Sequence, residues 1–183
     1  VGTPIAAVTV NCTDEAPFLT LADGHYDFIL PAAEDYTITP AKNTSHANGV
    51  NIFDIYLIQQ HILAVQPLDS PYKIIAADVD HNEVVNIADI FRMQQVILNI
   101  VDTFPNNTAW RFVPFDHVFP NPSFPFASSF PEDLFFPNLL DDFVDQDFVA
   151  IKTGDVTLNA DPTLIAQSPI PNLQWLMSDQ AAE

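Results

Sequence analysis

Alternation of apolar and polar residues predicts short β-strands in the first forty residues. The pattern is clearest at residues 26–30 and 36–38, and further short strands are expected at 110–113 and 147–151. A period of two places the apolar side chains of a strand on one face, which must be buried. A few short strands need a second layer for this. We therefore expect a small β-sandwich, immunoglobulin-like or prealbumin-like, within an α+β fold.

An internal repeat marks the centre of the chain. Residues 50–63 align without gaps on residues 85–98, and nine of the fourteen pairs are identical. Within each copy, apolar residues recur at i, i+3 and i+7, the period of an amphipathic helix. These positions are Ile55, Ile58 and Ile62 in the first copy and Ile90, Met93 and Ile97 in the second. The repeat predicts two loop-helix units that pack face to face.

Composition divides the rest of the chain. After residue 100 the chain is rich in Pro and Phe, and proline excludes long helices and central strands. The expected segments are sandwich strands in 1–40, the loop-helix module in 41–102, a Pro/Phe-rich segment with strands that pack back on the sandwich in 103–160, and a C-terminal tail in 161–183. An apolar cluster in the tail is a candidate inter-subunit strand and interface, formed by Leu173, Trp175, Leu176 and Met177.

The charge of the chain limits its partners. It carries 24 acidic and 5 basic side chains, a formal charge of −19. Such a chain repels phosphate groups, which excludes nucleic acid and anionic lipid as expected partners. Disorder is not expected, because 48% of the residues are apolar. Metal cations are the natural counter-charge.

Several features point to a secreted protein. The numbering opens on Val1, as in a mature or excised product, and no apolar run is long enough to cross a membrane. Cys12, the single cysteine, forms no internal disulfide, which excludes a small disulfide-rich scaffold and is compatible with either redox compartment. Three Asn-x-Ser/Thr triplets are candidate glycosylation sites, and they begin at Asn11, Asn43 and Asn106. We expect an extracellular or cell-surface location.

Residues 78–89 have the spacing of a calcium-binding loop. Oxygen ligands fall at positions 1, 3, 5, 7, 9 and 12, and Ca²⁺ takes about six to eight oxygens. The candidate ligands are Asp78, Asp80, Asn82, the carbonyl of Val84, Asn86 and Asp89. Position 6 is Glu83, where a glycine normally makes the sharp turn. The alternative is an acidic turn in which Asp89 simply caps the following helix.

The loop before the first copy is less regular. Its candidate ligands are Asn43, Ser45, Asn48, Asn51 and Asp54, where Asn48 replaces Ala47 at the aligned position 5 because Ala47 has no side-chain oxygen. Asn51 and Asp54 alternatively only cap the helix. Residues 155–159 also resemble half a calcium loop, but no closing carboxylate or helix follows them in the sequence.

Catalytic patterns are weak. The carboxylates at residues 141–147 are closely spaced, but this spacing is typical of a solvated strand and turn. The five histidines have no metal-binding spacing, and no nucleophile motif is present. We expect the protein not to be an enzyme.

The repeat resembles a known module. Paired loop-helix units closed by Asp are similar to a type I dockerin, and residues 70–78, 104–112 and 148–156 resemble dockerin-containing segments of large secreted bacterial surface proteins. In such proteins a carboxypeptidase-regulatory-like or Cna-B-like sandwich precedes the dockerin, and residues 23–28 and 35–40 fit its end. The resemblance covers residues 1–158 and implies an extracellular, non-catalytic, EF-hand-type module that binds calcium.

Three functions follow from these patterns. The favoured one is a calcium-binding surface filament or adhesin subunit that joins other copies of itself, or a neighbouring surface protein, by β-strand addition. The alternatives are a dockerin that binds a cohesin-like partner and an accessory module of a secreted enzyme.

Overall fold

The computed structural model describes residues 3–164, which form three α-helices and six β-strands. The strands are β1 (Thr9–Cys12), β2 (Phe18–Leu19), β3 (Tyr36–Ala41), β4 (Trp110–Pro114), β5 (Leu134–Phe136) and β6 (Phe148–Lys152), and the helices are α1 (Ile52–Ile62), α2 (Pro71–Ala77) and α3 (Ile87–Ile97). Both helices and antiparallel sheets are present, so the predicted α+β class is confirmed.

Two antiparallel sheets share one apolar cluster. The larger sheet has the order β2-β1-β3-β5, and the smaller consists of β4 and β6. A bridge between Lys42, just after β3, and Trp110 connects them. Val10 and Ile38 of the larger sheet and Phe112 of the smaller belong to the same buried cluster. The predicted alternation in residues 36–38 and the expected strand at 110–113 therefore serve one core.

Helices α1 and α3 pack against each other, as the repeat predicts. Ile55 and Ile58 of α1, and the equivalent Ile90 and Met93 of α3, are at most 5% exposed. The third predicted pair, Ile62 and Ile97, is partly buried against the same cluster. This second cluster lies between the helix pair and the smaller sheet, since Val113 and Ile151 also belong to it.

The sequence patterns missed helix α2. Ser70 lies at its N-cap position and Pro71 occupies the first turn, where a missing backbone N–H costs nothing. Its last four residues, Ile74 to Ala77, are buried with no polar face between them. A helix of seven residues buried along this stretch has no amphipathic period to detect.

Part of the Pro/Phe-rich segment packs against helix α2 and the cluster of the helix pair. Its described part contains a single 3-10 turn, Pro125–Ala127, as its only helical structure. Phe119 makes edge-to-face contacts with Tyr72 of α2, with His117 and with Phe130. These aromatic contacts fix an irregular chain where proline prevents regular structure.

Basic side chains are scarce at the surface. Of the five Lys and Arg residues, Lys42, Arg111 and Lys152 are at most 7% exposed. Lys152 donates to the carbonyls of His46 and Thr153, and burial lowers its pKa to about 7. Few cationic side chains therefore remain exposed among the many carboxylates of the described residues.

Within residues 3–164, none of the helices has the length and apolar character required to cross a membrane.

His46 makes stability sensitive to acid. Its Nδ1 accepts from the backbone N–H of Phe104 at 3.2 Å, and burial, with a contribution from Lys152, lowers the pKa of His46 to about 4. Between pH 6.5 and 4 the unfolded chain therefore binds a proton that the folded protein does not. Stability should fall by up to about 3 kcal/mol as the pH drops through this window.

Urea denaturation at pH 7 and pH 4 measures this effect. The variant His46→Gln should lose that part of the pH dependence, whereas His25→Gln, at an exposed position, should retain it. Equal pH dependence in the native protein and His46→Gln would contradict the assignment.

Candidate cation-binding site

Helix α3 begins at a reciprocal cap. The side chain of Asn86, the N-cap residue, accepts from the N–H of Ala88, and Asp89 Oδ2 accepts from the N–H of Asn86 at 2.8 Å. The other oxygen of Asp89 accepts from the N–H groups of Val79 and Asp80. One fully buried carboxylate thus joins the first turn of α3 to the start of the preceding loop.

Asp78 organises the opposite side of that loop. Its two carboxylate oxygens accept from the N–H groups of Asn82 and Glu83, at 3.0 and 2.9 Å. The backbone folds back on itself because His81 and Glu83 both have positive φ, 60° and 65°. Glu83 therefore adopts the left-handed conformation that glycine normally provides at this position.

Three carboxylates converge inside the loop. One oxygen from each of Asp78, Asp80 and Asp89 lies within 4.8 Å of the others. Oδ1 of Asp80 is inaccessible to solvent yet has no hydrogen-bond partner among the described residues. No Lys or Arg of the described chain forms an ion pair with any of the three.

Electrostatics make this arrangement unfavourable without a cation. The pKa of Asp89 is raised to about 6, mainly by burial and also by the charges of Asp80 and Asp78, while its backbone hydrogen bonds act in the opposite direction. A divalent cation would supply the missing positive charge and a partner for Asp80 Oδ1.

The other three predicted ligands lie on the same loop. Asn82 Oδ1 accepts from the N–H of Val84, and the Nδ2 group of Asn86 donates to the Val84 carbonyl. Asn82 and Val84 are exposed. The structure therefore gathers the acidic ligands inside the loop and leaves the neutral ones at its outer side.

Helix α1 begins at an equivalent cap. Asn51 accepts from the N–H of Phe53, and Asp54 Oδ2 accepts from the N–H of Asn51 at 2.9 Å. Asp54 is fully buried, like its repeat partner Asp89. Its Oδ1 accepts from the N–H groups of Val156 and Thr157, about a hundred residues further along the chain.

Residues 155–160 take the place of the missing half-loop. Asp155 accepts from the N–H groups of Leu158 and Ala160, much as Asp78 accepts within its own loop. Leu158, at the fourth position, has φ 61°, and its counterpart His81 has φ 60°. Residues 155–160 and 49–54 therefore form a discontinuous copy of the 78–89 loop, here called the split loop.

The two halves of the split loop meet at Gly49. A Cβ placed there would lie 2.7 Å from the backbone of Ala160, so only glycine fits at this contact, which also has a positive φ of 77°. Asn48 then holds the chain that follows, because it exchanges two hydrogen bonds with the backbone of Asp161.

The structure does not bring together all of the residues that the gapless alignment predicts as ligands in the first loop. Asn43 Oδ1 accepts from the N–H of Ala109, and neither Asn43 nor Ser45 is hydrogen-bonded to Asp54. Asn48 holds Asp161 instead of occupying a ligand position. The physical reason is that residues 155–160 already provide the N–H groups that the carboxylate of Asp54 requires.

The split loop lacks one of the three carboxylates that converge in the continuous 78–89 loop. Thr157 stands where the continuous loop has Asp80, and its hydroxyl lies 2.9 Å from oxygens of both Asp54 and Asp155. The carboxylate oxygens of Asp54 and Asp155 accept hydrogen bonds, so the split loop is closed by the chain itself. The sequence signal for it was the half-loop at 155–159, whose closing carboxylate lies far upstream.

The other predicted sites lie at the surface or outside the described residues. The glycosylation candidates Asn11, Asn43 and Asn106 are all exposed. Most of residues 141–147 are also exposed and line a surface cavity, which gives no sign of a buried acid-base pair. The interface candidates Leu173, Trp175, Leu176 and Met177 lie outside the described residues.

Comparison of the chain with protein-family models, with curated proteins and with solved structures finds no match.

Removal of the Asp54 carboxylate should destabilise the protein. In Asp54→Ala the buried N–H groups of Val156 and Thr157 lose their acceptor, at an expected cost of about 3 kcal/mol in the free energy of unfolding. Urea denaturation in the presence of a chelator measures this cost without a contribution from metal. The control is Asp102→Ala at an exposed position, with an expected change within about 0.5 kcal/mol. Equal stability of the two variants would contradict the role given to Asp54.

Proposed function

We propose that this protein is an extracellular, non-catalytic structural protein that binds calcium in the 78–89 loop. The observation that carries the proposal is the convergence of Asp78, Asp80 and Asp89 on a point where Asp80 Oδ1 has no partner among the described residues. Buried carboxylate oxygens without a counter-charge are the ligands of a hard cation.

Calcium fits this site better than the other common metals. All of the candidate ligands carry oxygen, and the one imidazole of the loop, that of His81, is exposed and not among them, which disfavours zinc. Ca²⁺ also tolerates the irregular mixture of carboxylate, amide and carbonyl oxygens that a loop supplies. Calcium would enter through the Asp80 side, where the loop is half-exposed.

A dockerin-like module next to a small sandwich is the architecture we propose. Support comes from the two equivalent caps at Asn51 and Asn86, each closed by Asp at the third helical position. The cluster shared by the two sheets supports the sandwich. The split loop departs from the resemblance, since its two halves are about a hundred residues apart.

Self-assembly by β-strand addition is the function we favour. The described surface has few basic side chains, so copies repel each other until cations lower the charge. Calcium at an extracellular, millimolar concentration would reduce the repulsion between copies. It would also fill the 78–89 loop. Residues 26–30 additionally have a strand-like pattern without a partner strand among the described residues, which is the kind of edge that accepts another strand.

One observation favours a dockerin that binds a cohesin-like partner as the second candidate. Tyr56 and Phe91 occupy equivalent positions in the two repeats and are 51% and 55% exposed. Ile52 and Ile87 form a second equivalent pair, 70% and 68% exposed. A symmetric pair of apolar patches on two helices suits a protein partner. No comparable observation favours an accessory module of an enzyme.

Isothermal titration calorimetry tests the calcium site. The full chain should bind calcium, and Asp80→Ala should bind at least about ten-fold more weakly because it loses one charged ligand. Asp102→Ala, exposed and outside the loop, should retain the native affinity. Calcium binding that is equally strong in Asp80→Ala would place the ion elsewhere, and no binding by the native chain would overturn the proposal.

Electron microscopy of negatively stained protein tests assembly. Regular fibres are expected in millimolar calcium and should disperse after chelation, because the acidic subunits then repel each other and the loop loses its ion. Monomers in both conditions would contradict self-assembly but leave calcium binding intact. Complex formation with a cohesin-like domain by such monomers would support the second candidate.

A further inference from the structure

Residues 24–30 have the pattern of a strand but no partner strand within residues 3–164. Tyr26, Phe28 and Leu30 are half-buried, whereas Asp27 and Ile29 between them are exposed, Ile29 to 95%. This is the period of two that a strand shows when one face is covered. No backbone hydrogen bond joins residues 26–30 to another part of the described chain.

A cavity of about 700 Å³ lies beside this segment. Residues 141–147 border the other side and also belong to no strand. The apolar part of the lining includes Tyr26, Phe28, Leu30, Ile38, Phe136 and Phe143. Because the cavity is open to the surface and carries many apolar side chains, it offers a place for an additional apolar segment.

The charges at the cavity restrict the segment that fits. Its rim carries Asp27, Asp141, Asp142, Asp145 and Asp147, with no Lys or Arg among the lining residues. An acidic occupant would be repelled. Residues 165–178 of this chain contain no charged side chain, a run of 14 in a protein of charge −19. Within them Leu173, Trp175 and Met177 alternate with Gln174 and Leu176, the spacing that turns three large apolar side chains to one face.

Chain direction favours the tail of a second copy. The described chain ends close to the Gly24 end of the segment, because the Pro162 carbonyl accepts from the N–H of Ala6 and Gly24 packs against Pro4. Every strand pair in the described residues is antiparallel. An antiparallel guest beside residues 24–30 must start at the Leu30 end, roughly 20 Å away at the strand rise per residue.

The tail of the same copy is barely long enough to start an antiparallel strand at the Leu30 end. Crossing to the Leu30 end takes about six extended residues and reversing takes at least about two more, which uses all of residues 165–172 before the apolar cluster begins. The tail of a second copy comes from outside the subunit, so it does not have to cross the segment and reverse before its strand begins. Each copy then offers a tail and a cavity, and repetition of that contact gives an open filament.

We propose that residues 171–178 of one copy add as an antiparallel strand beside residues 24–30 of a second copy, with Leu173, Trp175 and Met177 filling the cavity. The inference rests on the proposed self-assembly and assigns its two contact surfaces.

Complementation between two defective variants tests this contact. Trp175→Ala removes the largest side chain of the donor strand, and Phe28→Ser removes apolar lining of the acceptor. Each variant alone should remain monomeric in millimolar calcium, with at least a ten-fold lower yield of fibres than the native chain. The controls are Gln174→Ala, which would lie on the outward face of the proposed donor strand, and Leu21→Ser, which is exposed and outside the cavity lining. Both should assemble normally.

Mixing the two variants then distinguishes the source of the strand. An equimolar mixture should give dimers by sedimentation velocity, because the intact tail of Phe28→Ser can enter the intact cavity of Trp175→Ala but no further subunit can add. A mixture that stays monomeric would overturn the proposal and indicate that each tail occupies its own cavity.

Two further outcomes separate this inference from the proposed function. Normal fibres from both Trp175→Ala and Phe28→Ser would overturn the contact while leaving self-assembly in place. A native chain that stays monomeric would overturn both. Calcium titration and circular dichroism check that Phe28→Ser is folded, and Leu30→Ser, which changes a neighbouring lining residue, replaces it if it is not.

Discussion

A buried aspartate at the third position of each repeat helix holds the described structure together. Asp89 closes the cap of α3 and accepts from the start of the loop that precedes it. Asp54 closes the cap of α1 in the same way but accepts from residues 156–157. One kind of interaction therefore makes a local loop in one repeat and a long-range closure in the other. The second closure fixes the C-terminal part of the described chain to the first helix.

This closure places the two proposed binding features in one connected structure. An ion in the 78–89 loop would stabilise the start of α3, which packs on α1, and Asp54 of α1 holds the split loop. The chain beyond the split loop is in turn fixed by Asn48 through its bonds to Asp161. In the proposed assembly, calcium thus stabilises the split loop and the Asn48–Asp161 contact, and the tail that joins the next subunit follows these in the chain.

The sequence predicted the local features and missed the long-range one. The repeat showed α1 and α3 with their inward faces, because a period of 3.6 is read directly from neighbouring residues. The sequence indicated that Asp78, Asp80 and Asp89 come together, because they lie in one continuous loop. The split loop was not found, since no local spacing connects residue 155 to Asp54. Helix α2 was missed for another reason: its buried residues are continuous and leave no polar face.

A crystal structure of the full chain grown with calcium tests the central claim most directly. Our account predicts an anomalous difference peak between Asp78, Asp80 and Asp89, with oxygen ligands at about 2.4 Å and Asp80 Oδ1 among them. Asp80 Oδ1 would then gain the partner that it lacks among the described residues. A map without a peak at this position, from crystals that contain saturating calcium, would contradict the account.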